Sequence, residues 1–575
     1  MNFAGNRFGP ILEHGGVRFQ LWAPGAHKVA VLIVGRMPAA MRREDGGFWE
    51  LWCDAGRGSL YRFEVDGRSV PDPASRFQPA DASGPSCVVD PDTYIWRTTD
   101  WNGLPWEQAV LYEMHTGIEG GFAGVRSRLA ELADLGVTAI ELMPIADFSG
   151  VRNWGYDGVL PFAPDSTYGE PNDLRALIDE AHAHGLMIIL DVVYNHFGPQ
   201  GNYLPSYAPE FFDEAVPTPW GAAIDFHRPE VRQFFTENAL YWLEEFRFDG
   251  LRLDAVHAIS DRSWLTEMAT AVGARCGARH IHLVAENEAN EAHLLEAGIE
   301  AQWNDDFHNA LHVILTGETH AYYRDFSERP VDKLARCLAE GFAYQGQPSL
   351  NHDGRPRGQP SAHLPVTAFV NFLQNHDQVG NRAFGERLTR LARPDALRAA
   401  MALLLLCPQI PLLFMGEEFG AREPFLFFTD FEDQLAETVR SGRRQEFAGT
   451  PGFGSAEDRQ AIPDPNEEAT YAASRYTRDA PDVGRWHAWV RDLVALRRAH
   501  ITPFLNSVHA MGAEAIGDRA VRARWRLGES GTFIVVTNLD LLPVSATMPL
   551  SMPLFGVVPA DGCVPPDSTL AWVVP

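Results

Sequence analysis

Two kinds of hydrophobic pattern divide the chain. Up to about residue 95, apolar positions alternate with polar or small ones. Val17, Phe19 and Leu21 precede a break at Pro24-Gly25, and Tyr61, Phe63 and Val65 precede the turn at Asp66-Gly67. A period of two is that of half-buried strands, and helical periodicity is nearly absent here. The pattern predicts a small immunoglobulin-like β-sandwich with a proline-rich exit over 70–79.

After Trp101 short apolar runs alternate with amphipathic helical segments. The runs cover 110–114, 137–142, 186–190, 250–253, 281–285, 368–372 and 411–414, and a weaker one at 301–304 makes eight. Between them lie predicted helices such as 125–135 and 173–184, the second followed by Gly185. Repeated βα units of this number predict an α/β fold, a (β/α)8 TIM barrel rather than a doubly wound sheet. The long Gly-, Pro- and aromatic-rich loops after the third and eighth runs favour the barrel. The longest apolar stretch, 401–416, is interrupted by Pro408, Gln409 and Pro411. It is too broken to span a membrane and predicts a buried helix followed by a buried strand. Past a helix over 486–500, strand alternation returns at 520–527 and 532–538. The expected organisation is an N-terminal β-sandwich (1–95), a catalytic barrel with loop insertions (96–488) and a C-terminal β-sandwich domain (489–575).

Composition narrows the partners. The 575 residues carry 76 acidic and 48 basic side chains, a formal net charge of −28. Such a field repels polyphosphates and anionic membranes, so neither nucleic acid nor membrane is an expected partner. A neutral substrate is indifferent to it, and 15 Trp with 34 Phe supply flat faces on which sugars stack. The six cysteines form no CxxC pair and no zinc-type spacing with His, so reduced, mostly buried thiols are expected. Residues 1–16 show no basic and apolar leader pattern, and a cytoplasmic protein is expected.

Acids recur at the C-terminal ends of the apolar runs, the end that carries the active site of a parallel barrel. Asp191, Asp254, Glu286 and Asp377 each follow such a run, with His, Arg or Asn close by. A single strand-end Asp is readily explained as a helix cap. Four converging carboxylates are not, because they repel one another and drive their pKa values apart. One charged and one protonated carboxyl group are what glycoside hydrolysis requires.

Four segments carry these acids: Asp191-Val-Val-Tyr-Asn-His196, Gly250-Leu-Arg-Leu-Asp-Ala-Val-His257, Leu283-Val-Ala-Glu-Asn287 and Phe372-Leu-Gln-Asn-His-Asp377. In order and residue type they resemble the four motifs of the α-amylase superfamily of glycoside hydrolases. The resemblance implies Asp254 as nucleophile, Glu286 as general acid/base and Asp377 as the carboxylate that stabilises the transition state. It implies sugar contacts for His196, His376 and, by stacking, Tyr156. Arg252, two residues before Asp254, shares its strand face and can hold it ionised. Asp191 is expected to orient Arg252 and His196, and His257 to line the substrate site. Glu286 has no basic neighbour within its motif, which favours a raised pKa. Asn195 matches a calcium-binding position of some amylases, yet no surrounding acidic ligand set is visible, so no metal and no cofactor are expected.

The motif sequels narrow the resemblance. Leu21-Trp-Ala-Pro24, Gln302-Trp-Asn-Asp-Asp-Phe-His308, Gln378-Val-Gly-Asn-Arg382 and Phe414-Met-Gly-Glu-Glu-Phe-Gly420 look like the malto-oligosyltrehalose trehalohydrolase family. That family's substrate is malto-oligosyltrehalose, cut at the α-1,4 bond next to the terminal trehalose, downstream of a malto-oligosyltrehalose synthase. Candidates for reading the trehalose end are Trp303, Asn304, Asp305, Asp306, His308, Gln378, Asn381 and Arg382. A glucan branching enzyme, an isoamylase-type debranching enzyme and a non-catalytic glucan-binding relative are the competing readings.

Overall fold

The computed structural model describes residues 6–218, 221–478, 482–560 and 562–575. Its centre is a closed barrel of eight parallel strands. These are β1 (Leu111–Met114), β2 (Ala139–Leu142), β3 (Met187–Val192), β4 (Gly250–Leu253), β5 (His282–Ala285), β6 (Ala301–Trp303), β7 (Phe369–Phe372) and β8 (Ile410–Phe414). Every residue of all eight strands is buried. That is why the runs read as continuous rather than alternating: helices cover the outside and side-chain layers fill the inside. The inner layer includes Leu111, Ala139, Ile189, Val284, Ala301, Val370 and Leu412, with Trp106 lying against the same cluster.

Strand register decides which acids meet. Glu113 of β1 pairs with Glu141 of β2, and Asp191 of β3 pairs with Arg252 of β4. Four polar side chains are thereby placed on the C-terminal halves of adjacent strands.

The helices follow their sequence signals. Pro171–Ala183 begins with Pro171 in its first turn, and the Asp173 carboxylate accepts the Glu170 N–H at 2.9 Å. Gly185 follows at φ +74°, a conformation that costs glycine little. The 401–416 stretch resolves into the buried helix Pro394–Leu406 and β8.

The first module has two antiparallel sheets, one of four strands and one of five. It docks on the barrel through Glu237, whose carboxylate accepts the N–H groups of Arg7 and Phe8 at 3.0 and 3.2 Å. The last segment forms a four-stranded antiparallel sheet of Val508–Gly517, Ala520–Leu527, Thr532–Asn538 and Ser568–Val574. Trp525 on this sheet is buried and donates its indole N–H to the Leu338 carbonyl at 3.2 Å. The helix Val483–His500 runs across position 488/489 and buries Val490, Leu493 and Val494. Cys276, Cys337 and Cys407 are buried, Cys53 and Cys87 are half-buried, and none of these five forms a disulfide. Among the described residues no helix is long and apolar enough to cross a membrane.

Candidate active site

The four motifs converge at the C-terminal mouth of the barrel. Arg252 is their hub. Its side chain is fully buried and lies 4.2 Å over the Trp303 ring. One guanidinium nitrogen donates to both oxygens of Asp191 at 2.9 Å and to Asp254 Oδ1 at 2.7 Å. The other lies 3.2 Å from Glu286 Oε2. A planar fork suits this task because its donors are fixed relative to one another.

Asp254 and Glu286 sit in different environments. Burial pushes Asp254 upward, but Arg252, the facing His196 and a hydrogen bond from Asn195 outweigh it. The net effect holds the carboxyl below the usual range. Asn195 donates to Asp254 Oδ2 at 2.7 Å and to its carbonyl at 2.9 Å. Burial also dominates at Glu286, and Asp254, Asp377 and Asp305 add to it, so this carboxyl is pushed up to about 8 despite Arg252. The basic neighbour that its own motif lacks thus arrives from β4, and desolvation prevails over it. Ala255, directly after Asp254, is held at φ +40° and donates its N–H to Glu286 Oε2 at 2.7 Å. A left-handed alanine is a strained residue, here spent on aligning the second carboxyl group.

Asp377 stands on the first turn of the short helix His376–Gly380, with a little over a third of its side chain exposed. Asn381 donates to its Oδ1 at 3.1 Å, and His376 Nε2 lies 3.4 Å from the same oxygen. Tyr156 donates its hydroxyl to Asp191 Oδ2 at 2.6 Å and stacks on the His376 ring, centroids 5.0 Å apart. His196 faces the Tyr156 carbonyl at 2.9 Å through Nε2 and Asn195 Oδ1 through Nδ1. Burial raises Asp191 to about 7 although Arg252 opposes it.

The outer candidates divide. Gln378 donates to Asp305 Oδ1 at 3.2 Å, and burial raises Asp305 to about 7 with Asp377 adding to it. His257 accepts the Glu288 N–H at 3.4 Å. Arg382 is clamped by both oxygens of Glu318 at 2.7 and 3.0 Å and by Glu386. Asn304, Asp306 and His308 point into the protein. Asn304 bonds Asn371 and the Gly341 carbonyl, Asp306 is paired with Arg357, and His308 faces the Leu373 carbonyl. Among the described residues no group of three or more His, Cys, Asp or Glu is disposed to hold a metal ion.

Two site residues escaped the sequence reading. Glu113 and Glu141 each interrupt an apolar strand run, and an acid inside such a run was the available signal. Glu113 contacts His376. Neither oxygen of the buried Glu141 finds a hydrogen-bond partner, and burial pushes it well above the usual carboxylate range.

The chain is similar to known proteins along most of its length. The family model for the alpha amylase catalytic domain matches residues 74–210. The model for carbohydrate-binding module 48, the isoamylase N-terminal domain, matches 7–91, and a domain of unknown function matches 509–570. A malto-oligosyltrehalose trehalohydrolase of Deinococcus radiodurans is 42% identical over 502 residues, covering 85% of this chain and 82% of the relative. One from Saccharolobus solfataricus is 43% identical over 460 residues, covering 76% and 80%. The crystal structure of a Salmonella typhimurium protein provisionally named an alpha amylase superposes with a TM-score of 0.93 at 43% identity, covering 99% of both chains. Barrel, motifs and whole-length similarity agree, and the chain belongs to the malto-oligosyltrehalose trehalohydrolase family of the α-amylase superfamily.

Proposed function

We propose that the protein is a retaining glycoside hydrolase that releases trehalose from malto-oligosyltrehalose by cutting the adjacent α-1,4 bond. The observation that carries this reading is the placement of two carboxyl groups on one guanidinium, Arg252 lying 2.7 Å from Asp254 and 3.2 Å from Glu286, with Asp254 held below the usual carboxylate range and Glu286 pushed up to about 8 by burial. In the first step Asp254 attacks the anomeric carbon and Glu286 gives its proton to the departing O4 of trehalose. The maltooligosaccharide remains as an ester on Asp254. Water then attacks the same carbon, Glu286 takes its proton, and Asp254 leaves as a carboxylate. Asp377, with His376 beside it, binds hydroxyls of the sugar as the ring flattens, and Tyr156 and His196 line the same sugar. The synthase that makes the trehalose end supplies the substrate, and a cytoplasmic setting fits the absence of a disulfide at Cys53, Cys87, Cys276, Cys337 and Cys407.

Incubation with maltopentaosyl-trehalose and, separately, maltoheptaose tests the reading. Prompt trehalose from the first and slow hydrolysis of the second are expected. New α-1,6 links or indiscriminate cutting of maltoheptaose would overturn it.

The pH dependence follows from the same pair. Glu286 acts as an acid only while protonated, so its contribution is present below about pH 8 and is lost as pH rises through that value. Asp254 must be ionised, and its lowered pKa extends activity towards acid. The kcat/KM profile is expected to fall on the alkaline side near pH 8. A profile flat to pH 10 would remove Glu286 from the role.

Asp305 faces the mouth beside Gln378 and is our candidate for reading the trehalose end. Asp305→Ala is expected to lower kcat/KM roughly 10-fold or more on malto-oligosyltrehalose, as loss of one polar contact does. Maltoheptaose should be affected much less. Equal losses on both substrates would sink the assignment.

A further inference from the structure

The motif histidine His376 is gripped from behind by a residue to which neither the motifs nor the mechanism above gives a role. Glu113, on β1, is 1% exposed. One of its oxygens lies 2.5 Å from His376 Nδ1, and the other accepts the His376 backbone N–H at 3.1 Å. The same carboxylate therefore fixes the ring and the start of its helix. Tyr156 stacks on one side of the ring and Trp154 meets it edge-on at 5.5 Å. The ring cannot turn without breaking these contacts. Its remaining nitrogen, Nε2, lies 3.4 Å from Asp377 Oδ1.

We infer that Glu113 is a positioning residue for glycosidic cleavage: it holds His376 as an imidazolium whose Nε2–H is aimed at Asp377 and the sugar beside it. The arrangement is a carboxylate, an imidazole and a second carboxylate in line, the logic by which a buried acid fixes the orientation and charge of a working histidine.

The charges around the ring allow that state. Glu113 from β1 and Asp377 from the ring's own helix favour the cation. Asp191 of β3 adds to them, while Arg252 of β4 opposes. His115, just beyond β1, is held neutral by burial, so it brings no second positive charge. Burial pushes the carboxyl of Glu141, the register partner of Glu113, well above the usual carboxylate range, which disfavours a further negative charge competing for the imidazolium. Burial works against the His376 cation, yet its two carboxylate neighbours prevail and raise it to about 9. A charged donor fixed beside Asp377 holds that carboxylate in place to face the positive charge that builds on the ring carbon, and Glu113 does the fixing.

The inference rests on bond cleavage at Asp254 and not on which glucan is cut. The test uses the full-length enzyme on maltopentaosyl-trehalose and maltoheptaose. Glu113→Gln keeps the shape and an acceptor for the backbone N–H but removes the charge at Nδ1. We expect kcat to fall roughly 10- to 100-fold, the usual effect of removing the group that orients a functional histidine. KM should change little. The imidazolium loses its partner, so the alkaline limb of the kcat profile should shift to lower pH, below the limb set by Glu286. The second measurement is a double-mutant cycle. In a His376→Gln background, Glu113→Gln should cost less than twofold, because its target is gone. A structural defect would instead cost the same in both backgrounds, and full additivity would overturn the inference. An unchanged pH limb with kcat within twofold of wild type would overturn it as well. Should Glu113→Gln not fold, Glu113→Asp takes its place. It keeps the charge and shortens the reach, and a lowered kcat with an unshifted alkaline limb is expected. An acid-shifted limb in that variant would count against the proposal. If the wild-type enzyme cuts neither glucan, the reading of the site fails. If it cuts either and the variants behave as wild type, the inference alone fails.

Discussion

Replacing Asp254 by asparagine is expected to lower kcat on malto-oligosyltrehalose by at least about 10⁴-fold, the order seen when a nucleophile is removed from a preorganised site. The physical reason is specific to this position. Asp254 is the one carboxylate that receives Arg252 and Asn195 together, which keeps it ionised while burial would neutralise it. Asparagine retains the shape and part of the hydrogen bonding but has no charge to give the anomeric carbon. A glycosyl fluoride separates this loss from one at Glu286. Fluoride leaves without a proton, so Glu286→Gln should retain the first step on such a substrate and Asp254→Asn should not. Substantial turnover of the fluoride by Asp254→Asn, or release of product with inverted anomeric configuration by the wild type, would exclude Asp254 as nucleophile.

The second large effect is expected at Arg252. Its guanidinium faces Asp191, Asp254 and Glu286, all within 3.2 Å. Arg252→Met fills similar volume but leaves these carboxyl groups without their cation. Breaking a buried pair by removing one partner costs about 3–5 kcal/mol, since the remaining charge stays desolvated. The urea midpoint should fall accordingly, with the slope little changed. Part of the loss should be recovered at low pH, where the orphaned carboxyl groups take up protons. Catalysis should fail even in the folded fraction, because without Arg252 the Asp254 carboxyl loses its main source of ionisation. A variant as stable as wild type at neutral pH would mean that the three carboxyl groups find other partners.

Much of the site was legible in the chain because a strand end needs few residues to declare itself. Asp191, Arg252 and Asp254 were placed by a buried run followed by an acid, and a spacing of two put Arg252 on the face of Asp254. The predicted strands at 520–527 and 532–538 coincide with the observed ones, since alternation fixes register whenever one face is buried. The predicted helices kept their places and shifted at their N-termini. Gly121 and Pro171 begin them, four and two residues earlier than the apolar periodicity does.

Other features lay beyond sequence spacing. Asn195 matched a calcium-binding position of some amylases, and in the fold its amide nitrogen donates to Asp254 while its oxygen faces His196. Asp306 and His308 share a segment with Asp305, but Asp306 and His308 turn inward to Arg357 and the Leu373 carbonyl. A helix sends neighbouring side chains about 100° apart, so adjacency in sequence says little about which of them lines the mouth. Arg382 follows the fourth motif closely and is clamped by Glu318, from a loop 64 residues earlier.

The sequence by itself determined the barrel, the flanking β modules and the strand-end placement of Asp254, Glu286 and Asp377, because these depend on local periodicity and on residues at strand ends, while the roles of the three carboxylates come from the family resemblance. The tertiary structure alone decided the protonation states and the partners. Arg252 reaches Glu286 from another strand, and burial nevertheless pushes that carboxyl up to about 8. Glu113 reaches His376 across 263 residues of chain. Such effects depend on distance and dielectric in three dimensions, which only the closed barrel sets.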